Sequence, residues 1–250
     1  MDDSLIFCAG TTPAVRYAAD ILDKNGFHIT YELHSDVQYV LLDIPSLGPD
    51  NHLRSGERLQ ALLDVIPETA TIIGGNMDNP MLSDYRKIDL LKDESYLMAN
   101  ARITAYCTLQ IIGEALPVTF EEANILMIGW GRIGKALSSL LINLGANVTV
   151  ASRNKNKTEE LKALEINAVH IDNISTNGYD AIINTAPAPI LSAEALNSCL
   201  LTAKIDLASI KGLDAPDVIW ARGLPGIHAP KSSGNLIARC IEAHIKETCL

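Results

Sequence analysis

The sequence predicts an α/β protein with two domains, each built on a parallel sheet, joined by a long helix. Short apolar runs alternate with amphipathic segments twice along the 250 residues. A glycine-rich turn at residues 129–134 also stands between a strand and a helix in the second half. This alternation favours parallel sheets covered by helices. We expect residues 1–100, with residues 231–250 packing back onto them, to form one domain and residues 101–230 the other.

The first domain begins with an apolar run at residues 5–8, which predicts a strand. A helix over residues 13–24 follows, because Thr12 is a favourable N-cap and Pro13 is favourable in a first helical turn. Alternating apolar and turn-forming residues then predict three more strands, at residues 27–31, 39–42 and 71–75. They also predict an amphipathic helix at residues 56–66.

Apolar residues at helical spacing predict the linking helix over residues 100–116, and Pro117 marks its end. In the second domain, apolar runs predict strands at residues 125–128, 148–151, 181–183 and 204–207, with a helix at 135–144. Helical spacing of apolar residues predicts a closing helix over residues 231–247.

The turn between the strand at 125–128 and the next helix has the pattern G-x-G-x-x-G. In this context each glycine has a physical role in binding a dinucleotide. Gly129 permits the tight turn, Gly131 lets a pyrophosphate approach the backbone, and Gly134 lets the helix pack closely. The helix N-terminus supplies N–H donors and positive potential. An ordinary turn is the alternative, and the strand–turn–helix context favours a cofactor site formed by Gly129, Trp130, Gly131, Arg132, Ile133 and Gly134.

The residues after the second strand of this domain favour NADP over NAD. NAD enzymes usually carry Asp or Glu about 20 residues after the first glycine, where it binds the ribose 2′-OH. This chain has Ser152, Arg153, Asn154 and Lys155 there. A guanidinium and an ammonium bind a 2′-phosphate, whereas a carboxylate repels it. The alternative is a solvated loop whose charge is balanced by the acidic helix around Glu159 and Glu160.

Two further strands of the second domain end in small and polar residues. Because ligands of such sheets bind outside the carboxyl ends of the strands, these residues are candidates to line the nicotinamide half of the cofactor. They are Asn184, Thr185, Ala186, Asp206, Leu207, Ala208 and Ser209. The alternative is that both segments merely begin turns.

The segment at residues 223–234 contains two prolines and three glycines and predicts a stiff loop before the closing helix. His228 is a candidate proton carrier, and Lys231 adds positive charge near a helix start. Ser232 or Ser233 is the candidate helix cap. The alternative is that these are ordinary surface residues.

Composition excludes several classes of function. The net charge is −10 and basic residues form no dense block, which argues against nucleic acid and anionic membranes as partners. No apolar run approaches the length of about 18 residues that a membrane span needs, and the acidic start at Asp2 and Asp3 lacks the basic character of a signal peptide. Five scattered cysteines, among them Cys249, predict free thiols in the cytoplasm and no metal site.

These motifs together resemble the family of dipicolinate synthase A subunits. The resemblance is carried by residues 129–134, 144–148, 183–185 and 206–209, and most specifically by the run Gly-Leu-Pro-Gly-Ile-His-Ala-Pro-Lys at 223–231. The chain departs from the family pattern at Tyr106-Cys107 and at Ile210-Lys211-Gly212.

The resemblance implies two Rossmann-like domains, related in fold to the D-2-hydroxyacid dehydrogenases. It implies oxidation of a dihydrodipicolinate-type ring, a small dicarboxylate, with NADP⁺ as hydride acceptor in spore-forming metabolism. It also implies a flavoprotein partner, the B subunit of dipicolinate synthase. We further expect a homo-oligomer. The residues expected at the reacting ring are His228 as base, Lys231 and Ser46 as carboxylate ligands, and Asn100 and Thr104 on the opposite wall. The alternatives are a dehydrogenase of another small carboxylic acid and a non-catalytic NADP-binding subunit.

Overall fold

The computed structural model describes residues 4–197, 199 and 202–248. The acidic N-terminus and Cys249 lie outside the described residues. The chain divides into two compact units, one formed by residues up to Asn100 together with those from Pro225 onward, and one formed by Ala101–Leu224. The second boundary follows Leu224, earlier in the chain than the expected one at 230, so that Pro225 and the residues after it belong to the first unit.

The first unit holds a five-stranded sheet in the order β2-β1-β3-β4-β5, with every ladder parallel. This is the order of flavodoxin-like sheets, whose ligand crevice lies between β1 and β3. Its elements are β1 (Leu5–Cys8), α1 (Pro13–Lys24), β2 (His28–Thr30), β3 (Tyr39–Leu41), α2 (Leu59–Leu63), β4 (Thr71–Gly74) and β5 (Arg86–Asp89). The long helix α3 (Glu94–Ala115) begins in this unit and continues into the second.

The second unit holds a six-stranded parallel sheet in the order β11-β10-β9-β6-β7-β8. Counted from its own first strand this is 6-5-4-1-2-3, the Rossmann order. Its elements are β6 (Asn124–Ile128), α4 (Arg132–Asn143), β7 (Asn147–Ser152), α5 (Lys155–Ala163), β8 (Asn167–His170), β9 (Ala181–Asn184), α6 (Ala193–Leu196), β10 (Ala203–Asp206) and β11 (Ile219–Trp220). The predicted fold class, with two parallel sheets covered by helices, is confirmed.

The central strands of the second unit are apolar because helices cover both faces of the sheet. Ile125, Leu126, Met127 and Ile128 of β6 are all fully buried. Burial of four such side chains contributes several kcal/mol, at about 1.5–3 kcal/mol each. The apolar run that predicted this strand therefore also stabilises the sheet behind the glycine turn.

The segment at residues 223–234 is helical, so the expectation of a loop was wrong. It forms α7 (Leu224–His228) and the start of α8 (Pro230–Thr248). Both prolines lie in first helical turns, where the missing N–H has no helical acceptor to lose and the fixed φ is already helical. Ser233 lies inside α8 and is buried, so it is not a helix cap.

Helix α8 runs parallel to α1 in the first unit. Gly234 lies against the start of α1, since a Cβ there would be 2.7 Å from the Ala14 carbonyl oxygen. Near the other end, the Asn25 amide donates to the Glu242 carboxylate at 2.6 Å. Because α1 begins at the carboxyl end of β1, the start of α8 also lies at the carboxyl edge of this sheet.

Candidate dinucleotide and substrate sites

The glycine turn after β6 is constrained by the chain itself at two of its three glycines. Gly129 has φ +99°, a conformation that L side chains rarely adopt. A Cβ at Gly129 would lie 2.6 Å from Thr185 Oγ1, and a Cβ at Gly134 would collide with the Gly129 carbonyl oxygen. The fold therefore requires glycine at both positions, whether or not a ligand binds.

Gly131 differs from its two neighbours, because nothing in the fold requires a glycine there. Its φ of −79° and ψ of −168° suit any residue, and a Cβ would meet no described atom within 4 Å. The space that a side chain would fill is open and lies at the start of α4. This is the geometry expected where a pyrophosphate approaches the backbone.

The start of α4 has no side-chain cap. The first helical hydrogen bond runs from the Lys135 N–H to the Gly131 carbonyl at 3.0 Å, and no side chain caps the N-terminus. The N–H groups of the first helical turn precede the helical bonding pattern and carry the positive end of the helix dipole. Of the other turn residues, Trp130 and Ile133 are half-buried and Arg132 is exposed.

The segment that follows β7 is a rigid, cationic turn. Ser152 is buried and its Oγ accepts the Asn154 N–H at 3.2 Å. Asn154 caps α5 by accepting the Lys157 N–H at 3.2 Å. Arg153 and Lys155 project from this turn and are exposed.

The acidic residues of α5 do not neutralise this turn. Glu160 pairs with Lys157 at 2.5 Å, and Glu159 pairs with Lys162 at 3.1 Å. Within the described part of the chain, Arg153 and Lys155 form no ion pair. The contacts therefore argue against charge balance by Glu159 and Glu160, and they leave two cations without an ion pair after the carboxyl end of β7.

The loops after β9 and β10 are organised by one buried carboxylate. Asp206 is fully buried and accepts the amide of Asn184, whose Nδ2 lies 3.1 Å from both carboxylate oxygens. It also accepts the backbone N–H groups of Ala208, Gly212 and Leu213 at 2.6–3.0 Å. The side chains of Asn184 and Asp206 thus act on each other and on the loop, which they shape.

The remaining predicted residues of this edge surround the glycine turn or continue the two loops. Thr185 donates from Oγ1 to the Ile128 carbonyl at 3.0 Å and packs against Gly129. Ala186 is half-buried, Leu207 and Ala208 are buried, and Ser209 is exposed. A cavity of about 480 Å³ lies beside them, lined by Pro189, Ile190, Leu191, Ser192, Lys211, Gly212, Leu213 and Asp214. Parallel strands thus bring all the predicted cofactor residues to one edge of the second sheet.

In the first unit, an internal carboxylate occupies the equivalent helix start. Asp43 follows β3, is buried, and accepts the N–H and hydroxyl groups of both Thr11 and Thr12 at 2.6–3.1 Å. It fills the anion position at the N-terminus of α1 that a phosphate takes in a dinucleotide-binding unit. Within the described part of the chain, the open helix start behind a glycine turn therefore lies in the second unit.

The predicted substrate residues of the first unit lie at the carboxyl edge of its sheet. Ser46 follows β3 and is buried; its Oγ accepts the Gly75 N–H at 2.9 Å, which ties the loop to the end of β4. His228 ends α7 and Lys231 lies in the first turn of α8, both exposed. On α3, Asn100 is half-buried and belongs to the first unit, whereas Thr104, one turn later, is buried and belongs to the second unit.

Sequence reasoning missed three basic residues near these sites. Arg54 and Arg58 lie in the loop after Ser46, are exposed, and form no ion pair among the described residues. A polar loop commonly contains basic residues, so the sequence alone did not indicate that Arg54 and Arg58 lie near a site. His170 ends β8 and contacts the Ser152–Lys155 turn, a contact that spans 17 residues of sequence and has no local signature.

The fold, the open glycine turn and the sequence of this unit define a class of protein. Residues 124–195 match the family described as NADP oxidoreductase, coenzyme F420-dependent. The match covers the glycine turn and the Ser152–Lys155 turn. The chain is thus of the NAD(P)-dependent oxidoreductase class.

Within that class the chain is similar to the A subunit of dipicolinate synthase. It is 26% identical to the Bacillus subtilis protein over 201 residues, which cover 74% of this chain and 68% of the relative. The crystal structure of the Bacillus halodurans A subunit superimposes with a TM-score of 0.81 at 19% identity, covering 97% of this chain and 98% of that one. The resemblance inferred from the motifs is confirmed.

The predicted kinship in fold with D-2-hydroxyacid dehydrogenases is also confirmed. The NAD-complexed enzyme from Lactobacillus delbrueckii ssp. bulgaricus superimposes with a TM-score of 0.57 at 14% identity, covering 97% of both chains. None of the described helices has the length and hydrophobicity that a membrane span requires.

Proposed function

We propose that the chain oxidises a dihydrodipicolinate-type ring to dipicolinate with NADP⁺ as hydride acceptor. The single observation that supports cofactor binding is the open space at Gly131, where the fold itself does not require a glycine. The substrate assignment is supported by the similarity to the dipicolinate synthase protein of Bacillus subtilis over most of the chain.

The chain's residues fit NADP⁺ in three places. The open space at Gly131 and the N–H groups at the start of α4 receive the pyrophosphate. Arg153 and Lys155 bind the ribose 2′-phosphate as unpaired cations. The loops after β9 and β10, which Asp206 holds in shape, support the nicotinamide half. Bound NADP⁺ supplies the hydride acceptor.

On the substrate side, the chain binds two carboxylates and removes one proton. Lys231 and the two arginines of the loop after Ser46 supply positive charge, while Ser46 holds that loop against the end of β4. His228 takes the proton from the ring carbon next to the one that loses hydride. Asn100 and Thr104 line the ring from α3. Because the product ring is aromatic, these residues mainly orient the reacting atoms.

One observation favours a second candidate, a nucleotide-binding subunit without catalysis of its own. The side chains of His228 and Lys231 form no hydrogen bond or ion pair among the described residues, whereas a catalytic base is usually oriented by a partner group. A steady-state assay of NADPH formation with the purified chain, with and without the flavoprotein partner, separates the two. Turnover that requires His228 and Lys231 supports catalysis; nucleotide binding without turnover in either mixture supports the second candidate.

The proposal extends to the setting of the protein. We place it in the cytoplasm of a spore-forming cell, in line with the buried free thiols of Cys8, Cys107 and Cys240. Self-association is part of the proposal and is supported by exposed Ile219 and Trp220 on the edge strand β11. Light scattering coupled to size exclusion measures the mass of the purified chain, and a monomer would contradict this part.

A further inference from the structure

The turn that carries Arg153 is held from outside by His170. His170 is the last residue of the edge strand β8 and pairs in register with Ser152 at the end of β7. Its Nε2 lies 3.0 Å from the Arg153 carbonyl oxygen. Since a carbonyl only accepts, Nε2 carries the proton and donates it.

The other ring nitrogen fixes the orientation of the imidazole. The Asp172 N–H donates to His170 Nδ1 at 3.4 Å, and the Asp172 carboxylate lies 3.3 Å from the same atom. Nδ1 therefore has a partner in either form of the ring: it accepts from the Asp172 N–H when the ring is neutral and donates to the Asp172 carboxylate when the ring is charged. Only 19% of the His170 side chain is exposed, so the ring is packed as well as hydrogen-bonded.

Three consecutive residues of the turn are consequently fixed by separate contacts. Ser152 is anchored in β7, the carbonyl of Arg153 is held by His170, and Asn154 is held as the cap of α5. The guanidinium of Arg153 extends from a backbone that cannot rotate freely. A fixed starting point reduces the entropy lost when a flexible side chain binds a phosphate.

We infer that His170 is a positioning residue that sets the preference for the 2′-phosphorylated nucleotide. It acts through the Arg153 backbone and does not itself need to touch the cofactor. This inference rests on the proposed function, because it presupposes that Arg153 binds a ribose 2′-phosphate.

The experiment measures the dissociation constants of NADP⁺ and NAD⁺ by isothermal titration for the full chain and its variants. The two nucleotides differ only by the 2′-phosphate, so an effect on the turn appears in one and not in the other. Loss of one neutral hydrogen bond that orders a ligand loop corresponds to about fivefold in affinity. His170→Ala is expected to weaken NADP⁺ by about that factor and to leave NAD⁺ unchanged.

His170→Gln is the rescue variant, because its amide N–H can reach the same carbonyl; it is expected to restore most of the NADP⁺ affinity. His34→Ala is the matched control, since His34 is an exposed histidine of the first unit and should affect neither nucleotide. Equal weakening of both nucleotides in His170→Ala, no weakening of either, or failure of glutamine to rescue would each overturn the inference. A wild-type preference for NAD⁺ would overturn the NADP assignment itself, and that result is read from the wild-type chain alone.

Discussion

Replacing Gly131 with valine tests the nucleotide site, because glycine at this position is needed by the proposed ligand and is not needed by the fold. The backbone at Gly131 suits any residue, and the new side chain would point into open space. We therefore expect the free energy of unfolding to change by no more than about 0.5 kcal/mol, the usual range for surface substitutions. The nucleotide, in contrast, loses the space it needs at the helix start.

The expected loss of affinity follows from the contacts at that point. Hydrogen bonds from N–H groups to a charged phosphate are worth about 1.5–3 kcal/mol each. Losing one of them weakens binding by about 10- to 150-fold. Gly131→Ala adds a single methyl group and should fall between wild type and Gly131→Val.

Gly129→Ala and Gly134→Ala serve as contrasting controls. Alanine at Gly129 is forced to φ +99° and lies 2.6 Å from Thr185 Oγ1, so it should destabilise the fold by about 1–3 kcal/mol. Alanine at Gly134 collides with the Gly129 carbonyl oxygen and should behave similarly. Urea unfolding and isothermal titration of NADP⁺ are run on all four variants. Undiminished NADP⁺ binding by Gly131→Val, in a chain as stable as wild type, would refute the reasoning.

Three further outcomes are expected. Arg153→Ala should weaken NADP⁺ by about tenfold and leave NAD⁺ unchanged in the same titration; a parallel loss of both would show that Arg153 does not contact the 2′-phosphate. Ser138 is fully buried on α4, and its hydroxyl has no hydrogen-bond partner among the described residues. Ser138→Ala should therefore raise the free energy of unfolding by about 1 kcal/mol, measured as a higher urea midpoint at unchanged slope. A lower midpoint would contradict this expectation. Hydrogen bonds from Ser95, the Tyr96 N–H and His244 lower the pKa of Asp93 from 3.8 to about 2. The Asp93 carboxylate therefore contributes to the free energy of unfolding above pH 3.8, by an amount of order 1 kcal/mol because the group is partly exposed, and this contribution is lost as the pH falls towards 2. Asp93→Asn should flatten the dependence of the unfolding free energy on pH in that window, and an unchanged profile would contradict the assignment.

The strands predicted from continuous apolar runs are all found in the structure. β6 is an example, because its position in the middle of a covered sheet requires apolar side chains on both faces. β5 and β8 were missed because they lie at sheet edges and contain charged or polar residues such as Arg86, Lys87 and Asn167. An edge strand is solvated on one side and carries no such signal.

The glycine turn was predictable because its chemistry is local, whereas the networks that shape the site are not. Thr11 and Asp43 are 32 residues apart, and Asn184 and Asp206 are 22 apart. The residues next to Asp43 and Asp206 in sequence do not indicate that these carboxylates accept hydrogen bonds from backbone N–H groups. The prolines near Gly223 misled for a different reason, since proline marks a loop and a first helical turn equally well.

The most direct test of the proposed oxidation is the stoichiometry of hydride transfer. A dihydrodipicolinate-type ring is mixed with the purified chain, NADP⁺ and, in a parallel reaction, the flavoprotein partner, and NADPH and dipicolinate are both quantified. The proposal predicts one NADPH for each dipicolinate formed, and loss of both products in Gly131→Val. Dipicolinate without NADPH, or no product with the flavoprotein present, would contradict the proposed oxidation.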